Sequence, residues 1–436
     1  MKLRLAILLT SIFVAQSSLR SAVIGMSTPA LPLTPERVAE MPEYARGTWT
    51  AYLERSKKQM ADDQAAFAAE FKASGLKATL AVPDGHDAKS VPLDNSASWY
   101  GKADARRIAD IVVSYQTPAG GWSKNIALSK HLRQPGERFS HDGGSQFTDQ
   151  SDNDRPLSSN WSYVGTFDND ATITELRFLA KVIAALPADG TASYRTAFSR
   201  GLEYILAAQY PNGGWPQVWP LEGGYHDAIT FNDGAMVHVL AFQRDAASGQ
   251  KEFAFVSTEQ RSKATASFQR GLDCLLACQI TAATHRTIWC QQHDMLTLLP
   301  CSARNYEMPS QASAESAEIL MFLMEIQNPS PAVSIAIKSA AEWFKQTAIY
   351  GLAFHSVNGE RHLVVTSGAG PIWGRYYQIG TNFPLFGDRD KSIHDNVEEI
   401  SRERRNGYAW FNDRAKRVLE HYDHWLKTGP LKPNLQ

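Results

Sequence analysis

The sequence predicts a mainly α fold, an α/α toroid-like helical barrel with long irregular loops and few short strands. Three observations predict it. Residues 112 to 122 read VVSYQTPAGGW and residues 205 to 215 read ILAAQYPNGGW, while Leu275-Leu276-Ala277-Cys278-Gln279 opens the same unit before diverging. Each unit is a helix ending in Gln, then a Pro/Gly turn and a Trp. Helix pairs joined in this way stack around a ring, because each inner face is buried only by its neighbours. Apolar residues recur at helical spacing along most of the chain, and runs with strand-like alternation are few and short.

Taken in order, the chain opens with MKLRLAILLTSIFVAQSSLRSA, in which Lys2 and Arg4 precede an apolar run from Leu5 to Val14 and then small residues. This is the pattern of a secretory signal peptide over residues 1 to 22, with Ser17 or Ala22 as the end point. It predicts an exported protein, extracellular or periplasmic. Residues 23 to 97 read as a helical extension and linker. Thr34-Pro35 is a helix start, and a longer helix over residues 49 to 71 sets Trp49, Tyr52, Leu53, Met60, Phe67 and Phe71 at near-helical spacing, on a face expected to pack on the main body. Ala-, Pro- and Asp-rich sequence over residues 77 to 95 reads as the linker. The main domain follows as residues 98 to 436, with helices expected at 102 to 116, 171 to 186, 191 to 208, 234 to 247, 262 to 279, 312 to 327, 331 to 348 and 413 to 427. The polar residues after the two turns, Lys124-Asn125 and Gln217, are placed to face a cleft at one end of the ring.

Composition narrows the function classes. A chain of 436 residues can bury a large core in one big domain or two to three ordinary ones. Lys plus Arg number 44 against 45 Asp plus Glu, so a net charge of -1 excludes a protein that works on nucleic acid or a membrane surface through its overall field. An anionic ligand then needs a local basic cleft. Aromatics at 10% and 11 Trp suit stacking on sugars, although most aromatics in any chain are core. After the leader no apolar run is long enough to span a membrane. The cysteines Cys274, Cys278, Cys290 and Cys301 share one short window. In an oxidising compartment one bridge is expected, either from the helix of Cys274 and Cys278 to the following loop or across that loop.

That loop, residues 287 to 308, reads TIWCQQHDMLTLLPCSARNYEM and concentrates unusual side chains in a segment with no clean period. Two other polar knots accompany it, residues 166 to 172 (TFDNDAT) and 229 to 234 (ITFNDG). Asp168, Asp170, Asn232 and Asp233 each precede an expected helix, so helix capping is the plain alternative to a binding role for them. The basic run Arg402, Arg404 and Arg405 alternates with acids and reads as a solvated helix face.

Seven motifs, GGWSKN from Gly120, DNDAT from Asp168, NGGWPQ from Asn212, ITFND from Ile229, WCQQHD from Trp289, ARNYE from Ala303 and WGRYY from Trp373, together resemble the pectate lyases of polysaccharide lyase family 10. The resemblance covers roughly residues 98 to 427 and leaves the first 97 residues unmatched. It implies an α/α toroid that cleaves de-esterified polygalacturonate by β-elimination with calcium; the open ends of such a toroid point to attack within the polymer, and a monomer is expected. It also implies Asp168 and Asp233 as calcium carboxylates, with Asp170 a third candidate at a position where the family pattern expects Asn or Gly. Arg304 is implied as the catalytic base, and Lys124, Arg375 and Arg389 are the expected partners of substrate carboxylates. An arginine base runs against the ordinary pKa of the guanidinium, above roughly 12. A charged Arg304 would instead act as an electrophile, with Lys124 or Tyr306 taking the proton, and a surface ion pair with Glu307 is its structural alternative. His293-Asp294 is read as support for the site.

Two other classes fit the same residues. A toroid glycoside hydrolase would use two carboxyls such as Asp168 and Asp294, and a non-catalytic pectin-binding protein would need only the cleft. A terpene-cyclase-like fold shares the Gln to Gly-Trp repeats but fits poorly with an export signal.

Overall fold

The computed structural model describes residues 23 to 85, 91 to 141 and 161 to 431. The expected signal peptide and residues 86 to 90 of the expected linker lie outside the described residues. The helices are α1 Pro35–Ala39, α2 Glu43–Ser74, α3 Ala103–Ser114, α4 Ile173–Ala185, α5 Ala192–Ala208, α6 Ala235–Ser248, α7 Thr258–Ala277, α8 Ser313–Glu325, α9 Pro331–Gln346, α10 Arg402–Gly407 and α11 Arg414–Thr428. They form two layers. In one, α4 packs on α6 and α6 on α8; in the other, α5 packs on α7 and α7 on α9, with α11 against α8 and α9. The inner helices are apolar on most faces, as in α8, where Ile319, Leu320, Phe322, Leu323 and Met324 are all buried. Between α4, α6, α8 and α11 lies a cavity of about 780 Å³.

The repeat is the device that joins the layers. At the end of α3, Gln116 Nε2 donates to the carbonyls of Gly120 and of Ala197 in α5, at 2.7 and 2.8 Å. Gln209 does the same to Gly213 and to Ser267 in α7, both at 2.9 Å. Gln279 reaches Thr287 and Ala336 in α9, at 2.9 and 3.1 Å. Each Gln thus closes its own turn and ties one outer helix to the next. The tryptophans are buried plugs whose indole N–H returns to the preceding helix: Trp122 to Val112, Trp215 to Ile205, Trp289 to Leu275 and Trp373 to Phe344, at 2.7 to 2.9 Å. Among the described residues the Gln tie therefore occurs three times and the Trp plug four times. Two residues after each Trp stand Lys124, Gln217, Gln291 and Arg375, so one register delivers four polar side chains to the same end of the helices.

Short strands cover that end. The antiparallel order is 25–26, 392–394, 384–387, 376–377 and 311–312, so the N-terminal extension supplies an edge of the sheet. A separate hairpin pairs 352–357 with 360–365. The extension is part of the packed body. Trp49 and Tyr52 of α2 are buried against Tyr210, with ring centroids at 5.3 and 4.8 Å, and Phe67 meets Phe139 and Trp161 at 6.0 and 5.8 Å. Residues read as linker also pack, for Val82 and Val91 are buried and Leu80 bridges Glu137.

Two other expectations are corrected. All four cysteines are free thiols. Cys274 and Cys278 lie one helical turn apart, and the Cys290 thiol is directed to the Cys301 carbonyl at 3.6 Å, so burial and backbone contacts hold them without a bridge. Arg404 and Arg405 are buried rather than solvated, because Arg405 pairs with Glu360 at 2.8 Å and Arg404 lies over the Tyr306 ring at 4.5 Å. Among the described residues no helix is long and apolar enough to cross a membrane.

Candidate active site

Two short 3₁₀ turns, 168–170 and 232–234, lead into α4 and α6 and touch each other. Each is preceded by a buried Phe, Phe167 or Phe231, and each carries a middle residue in the left-handed region, Asn169 at φ 51° and Asp233 at φ 49°. Asn and Asp tolerate that conformation better than other side chains, which is a local reason for the Asp/Asn composition here.

Asp168 is buried and takes an ion pair from Lys124, whose ammonium also sits 3.7 Å over the Tyr163 ring. Its other oxygen, Oδ1, is buried beside Gln217 without a well-formed hydrogen bond. Burial raises the Asp168 pKa, but Lys124, Gln217 and Arg304 outweigh it and hold the carboxyl below its ordinary value. Asp233 is exposed and lies within range of Asp168 and Glu315. Loss of bulk water around it and these two like charges push it up to about 6, against Arg375 and Arg304. Asp170 is set apart from this pair. It is ion-paired with His238 of α6 and lines the central cavity, where His238 also meets Glu318 at 2.8 Å. Burial alone would lower the His238 pKa, but the two carboxylates carry it up to about 10.

Arg304 stands on the irregular loop with its guanidinium in a two-bond grip from Glu307, Nε at 3.0 Å and Nη2 at 2.6 Å, while its own backbone N–H donates to the same carboxylate at 3.0 Å. Glu307 is only 2% exposed but Arg304 keeps 34% of its side chain open, so one face is fixed and the other faces solvent. Glu307 Oε1 accepts from Tyr408 at 2.6 Å, and Tyr408 meets Tyr376 at 2.6 Å, which donates to Gln291 at 2.5 Å. Burial opposes the charge on Arg304, yet Glu307 and the neighbouring tyrosine hydroxyls raise its pKa well above the usual value. Glu307 is correspondingly held down to about 2, burial being outweighed by Arg304. In this state Arg304 is firmly protonated.

Arg375 repeats the arrangement. It pairs with buried Glu315 of α8 at 2.7 Å, touches Asn232 at 3.2 Å and lies 4.6 Å over Tyr408. Arg389 is further out, paired with Glu403 at 3.0 Å and 5.4 Å over Tyr306, and its carbonyl accepts from Asn305 at 2.8 Å. Tyr306 is thus bracketed by Arg304, Arg389 and Arg404. Asp294, the second carboxyl of the hydrolase alternative, is committed to the loop: it is ion-paired with Arg37 at 2.5 Å, and its other oxygen holds the turn at Leu296 and Thr297. His293 is a loop organiser, with both ring nitrogens on backbone groups and burial lowering its pKa to about 4.

Sequence reasoning missed Glu315, Tyr408 and Tyr163 as parts of the site. An acidic residue inside the apolar helix sequence SAESAEILMFLME was a usable signal for Glu315, and Tyr408 had none. The profile of the pectic acid lyase family matches residues 116–419.

The chain belongs to that family.

It is therefore an enzyme of the polysaccharide lyase class. A solved family 10 polysaccharide lyase from Cellvibrio cellulosa is similar at 31% identity and a TM-score of 0.62, over 79% of this chain and 99% of that one. An aspartate-to-alanine variant of a family 10 polysaccharide lyase from the same organism, solved in complex with trigalacturonic acid, is similar at 30% identity and a TM-score of 0.62, over 77% of this chain and 99% of that one. Comparison with curated protein sequences gives no match.

Proposed function

We propose that this polysaccharide lyase cleaves de-esterified α-1,4-polygalacturonate by calcium-assisted β-elimination, leaving 4,5-unsaturated oligogalacturonates, and that it attacks within the polymer after export. The two helical layers are read as arcs of an α/α toroid. One observation carries the reading: Lys124, Arg304 and Arg375, each already held by a buried carboxylate, share an electrostatic neighbourhood with Asp168 and Asp233. Removing the C5 proton builds a second negative charge on a uronate, and cations fixed beforehand stabilise that charge without reorganising. The relative bound to trigalacturonic acid supports the substrate class.

Among the described residues no three His, Cys, Asp or Glu side chains are arranged to hold a metal. A cation that takes six to eight oxygens in flexible geometry does not need them, because substrate carboxylates and water complete the set. Asp168 and Asp233 fit such an ion on chemistry. Asp168 has a buried oxygen without a well-formed bond, and Asp233 carries a pKa raised first by loss of bulk water and then by its carboxylate neighbours, both of which favour a cation beside it. Bound calcium supplies positive charge to the uronate and acidifies its C5 proton. Lys124 and Arg375 orient the uronate groups, and Arg389 serves at the rim. Arg304 presents its open face to C5 while Glu307 fixes its plane. As the base it must first shed the proton that Glu307 stabilises, which nearby positive charge favours. As an electrophile it would keep that proton, with Lys124 or Tyr306 as acceptor.

Mass spectrometry of products from polygalacturonate tests the reaction. Unsaturated oligomers, one water lighter than hydrolysis products and absent with a calcium chelator, are expected. Hydrated oligomers would mean a hydrolase, and intact polymer a binding protein.

A further inference from the structure

The N-terminal extension precedes the residues matched by the family profile, 116–419, yet it reaches the site at several independent points. Strand Gly25–Met26 pairs with Ser392 and Ile393, and the Ser27 N–H donates to the Lys391 carbonyl at 2.8 Å. Those partners close the turn that carries Arg389. The Thr28 carbonyl accepts from Ser302 Oγ, two residues before Arg304, and Ser302 is buried. The Leu33 N–H donates at 3.0 Å to Asp227, which is buried. Arg37 of α1 then grips Asp294 at 2.5 Å and contacts the Met295 sulfur at 3.4 Å, with only 18% and 13% of the paired side chains exposed. Its guanidinium is itself aimed by the carbonyls of Leu31 and Pro32, both at 3.0 Å. From Asp294 the tie runs on through the Asp294 N–H to the Leu299 carbonyl at 2.8 Å and Cys301 to Gln292 at 3.0 Å, and so to Arg304.

We propose that residues 24 to 37 form a strap that positions the active site, with Thr28 and Arg37 fixing the loop of Arg304 and strand 25–26 fixing the turn of Arg389. The loop over residues 287 to 308 has little regular structure of its own, and although Glu307 fixes the plane of the Arg304 guanidinium, both residues ride on that loop, so its placement to the fraction of an ångström that proton transfer requires must come from outside it. The strap supplies that constraint through Thr28 and Arg37. Arg37 and Ser302 are accordingly positioning residues.

The inference rests on the reading that Arg304 acts on the substrate, and the experiment separates the two. Arg37→Gln and Ser302→Ala each remove one tie, and Arg37→Lys restores a charge. Turnover on polygalacturonate, circular dichroism and hydrogen exchange over residues 287 to 308 are measured in each. Expected are kcat lower by about tenfold, KM within about twofold, faster exchange in that loop, and recovery of most activity in Arg37→Lys. If Arg37→Gln does not fold, Ser302→Ala decides. Wild-type kcat in the folded variants, or a kcat loss matched by an equal loss of folded protein, would overturn the strap. An Arg304→Ala variant as active as the parent would sink the underlying reading, while the exchange data would still report on the loop.

Discussion

Arg304 and Arg375 each rest on a buried carboxylate of their own, Glu307 and Glu315, whereas Asp168 and Asp233 face each other with Lys124 paired to the first. On the arginine side every charge is balanced, so pKa values move apart: Glu307 is held at about 2 and Arg304 well above its usual value. On the carboxylate side Asp233 loses bulk water and also lies within range of the like charges of Asp168 and Glu315, so it rises to about 6. The difference teaches how one site serves two tasks. Balanced pairs make a rigid receptor for an anion, and carboxylates within range of each other favour the cation proposed above.

The arginine side breaks hardest. Arg304→Ala is expected to lower kcat by roughly a thousandfold, since it removes a preorganised group at the reacting carbon. On the carboxylate side, Asp168→Asn or Asp233→Asn should lower activity by about a hundredfold at limiting calcium and recover part of it when calcium is raised, as steady-state titrations will show. Glu307→Gln sharpens the contrast. Removing the carboxylate lowers the Arg304 pKa, so if Arg304 is the base the rising limb of kcat against pH moves to lower pH, with a maximum about tenfold smaller. If Arg304 works as a charged electrophile, the variant instead loses activity at lower pH than the parent.

A smaller effect concerns the metal-free protein. Asp233 has a folded pKa of about 6 against an ordinary 3.8, so the folded state binds the proton more tightly and stability falls as pH rises between these values. Asp233→Asn should therefore raise the metal-free Tm at neutral pH and leave it unchanged below about pH 4, and the gain should disappear with calcium. By the same linkage calcium affinity falls as pH drops through about 6. Smallest is a control outside both sides: Tyr52→Phe, which removes the 2.8 Å bond to the Ala208 carbonyl, should cost about 1 kcal/mol in denaturant unfolding and leave kcat unchanged.

Helices were the legible part of this fold, because their signals are local. The expected segment at 191 to 208 appears as Ala192–Ala208, and that at 234 to 247 as Ala235–Ser248. The start of α7 was placed late, at 262, because the capping box of Ser257 and Gln260 extends the helix to Thr258 over a polar turn with no apolar period. The repeat was readable from Gln and Gly-Gly-Trp in two copies and from its opening, Leu275 to Gln279, in a third, but Trp289 and Trp373 were not legible as its plugs, since no Gly-Gly precedes them while the buried Trp and its bond remain. Lys124, Asp168, Asp233, Arg304 and Arg375, all named from motifs, come together in one electrostatic neighbourhood. Asp170 goes elsewhere, because His238 arrives from α6 to claim it, and nothing near residue 170 in sequence announces that partner. The packing of the extension's aromatic face was legible, but its tie to the loop of Arg304 was hidden for the same reason: Arg37 and Asp294 are far apart in the chain and meet only on folding.

The most direct measurement is near-ultraviolet absorbance of polygalacturonate incubated with the protein and with Arg304→Ala, in calcium and in excess chelator. A conjugated double bond forms only if elimination occurs. The account predicts absorbance that rises with the parent protein in calcium, stays flat with chelator and is nearly flat for the variant. Undiminished absorbance from Arg304→Ala, or from the parent protein stripped of calcium, would contradict it.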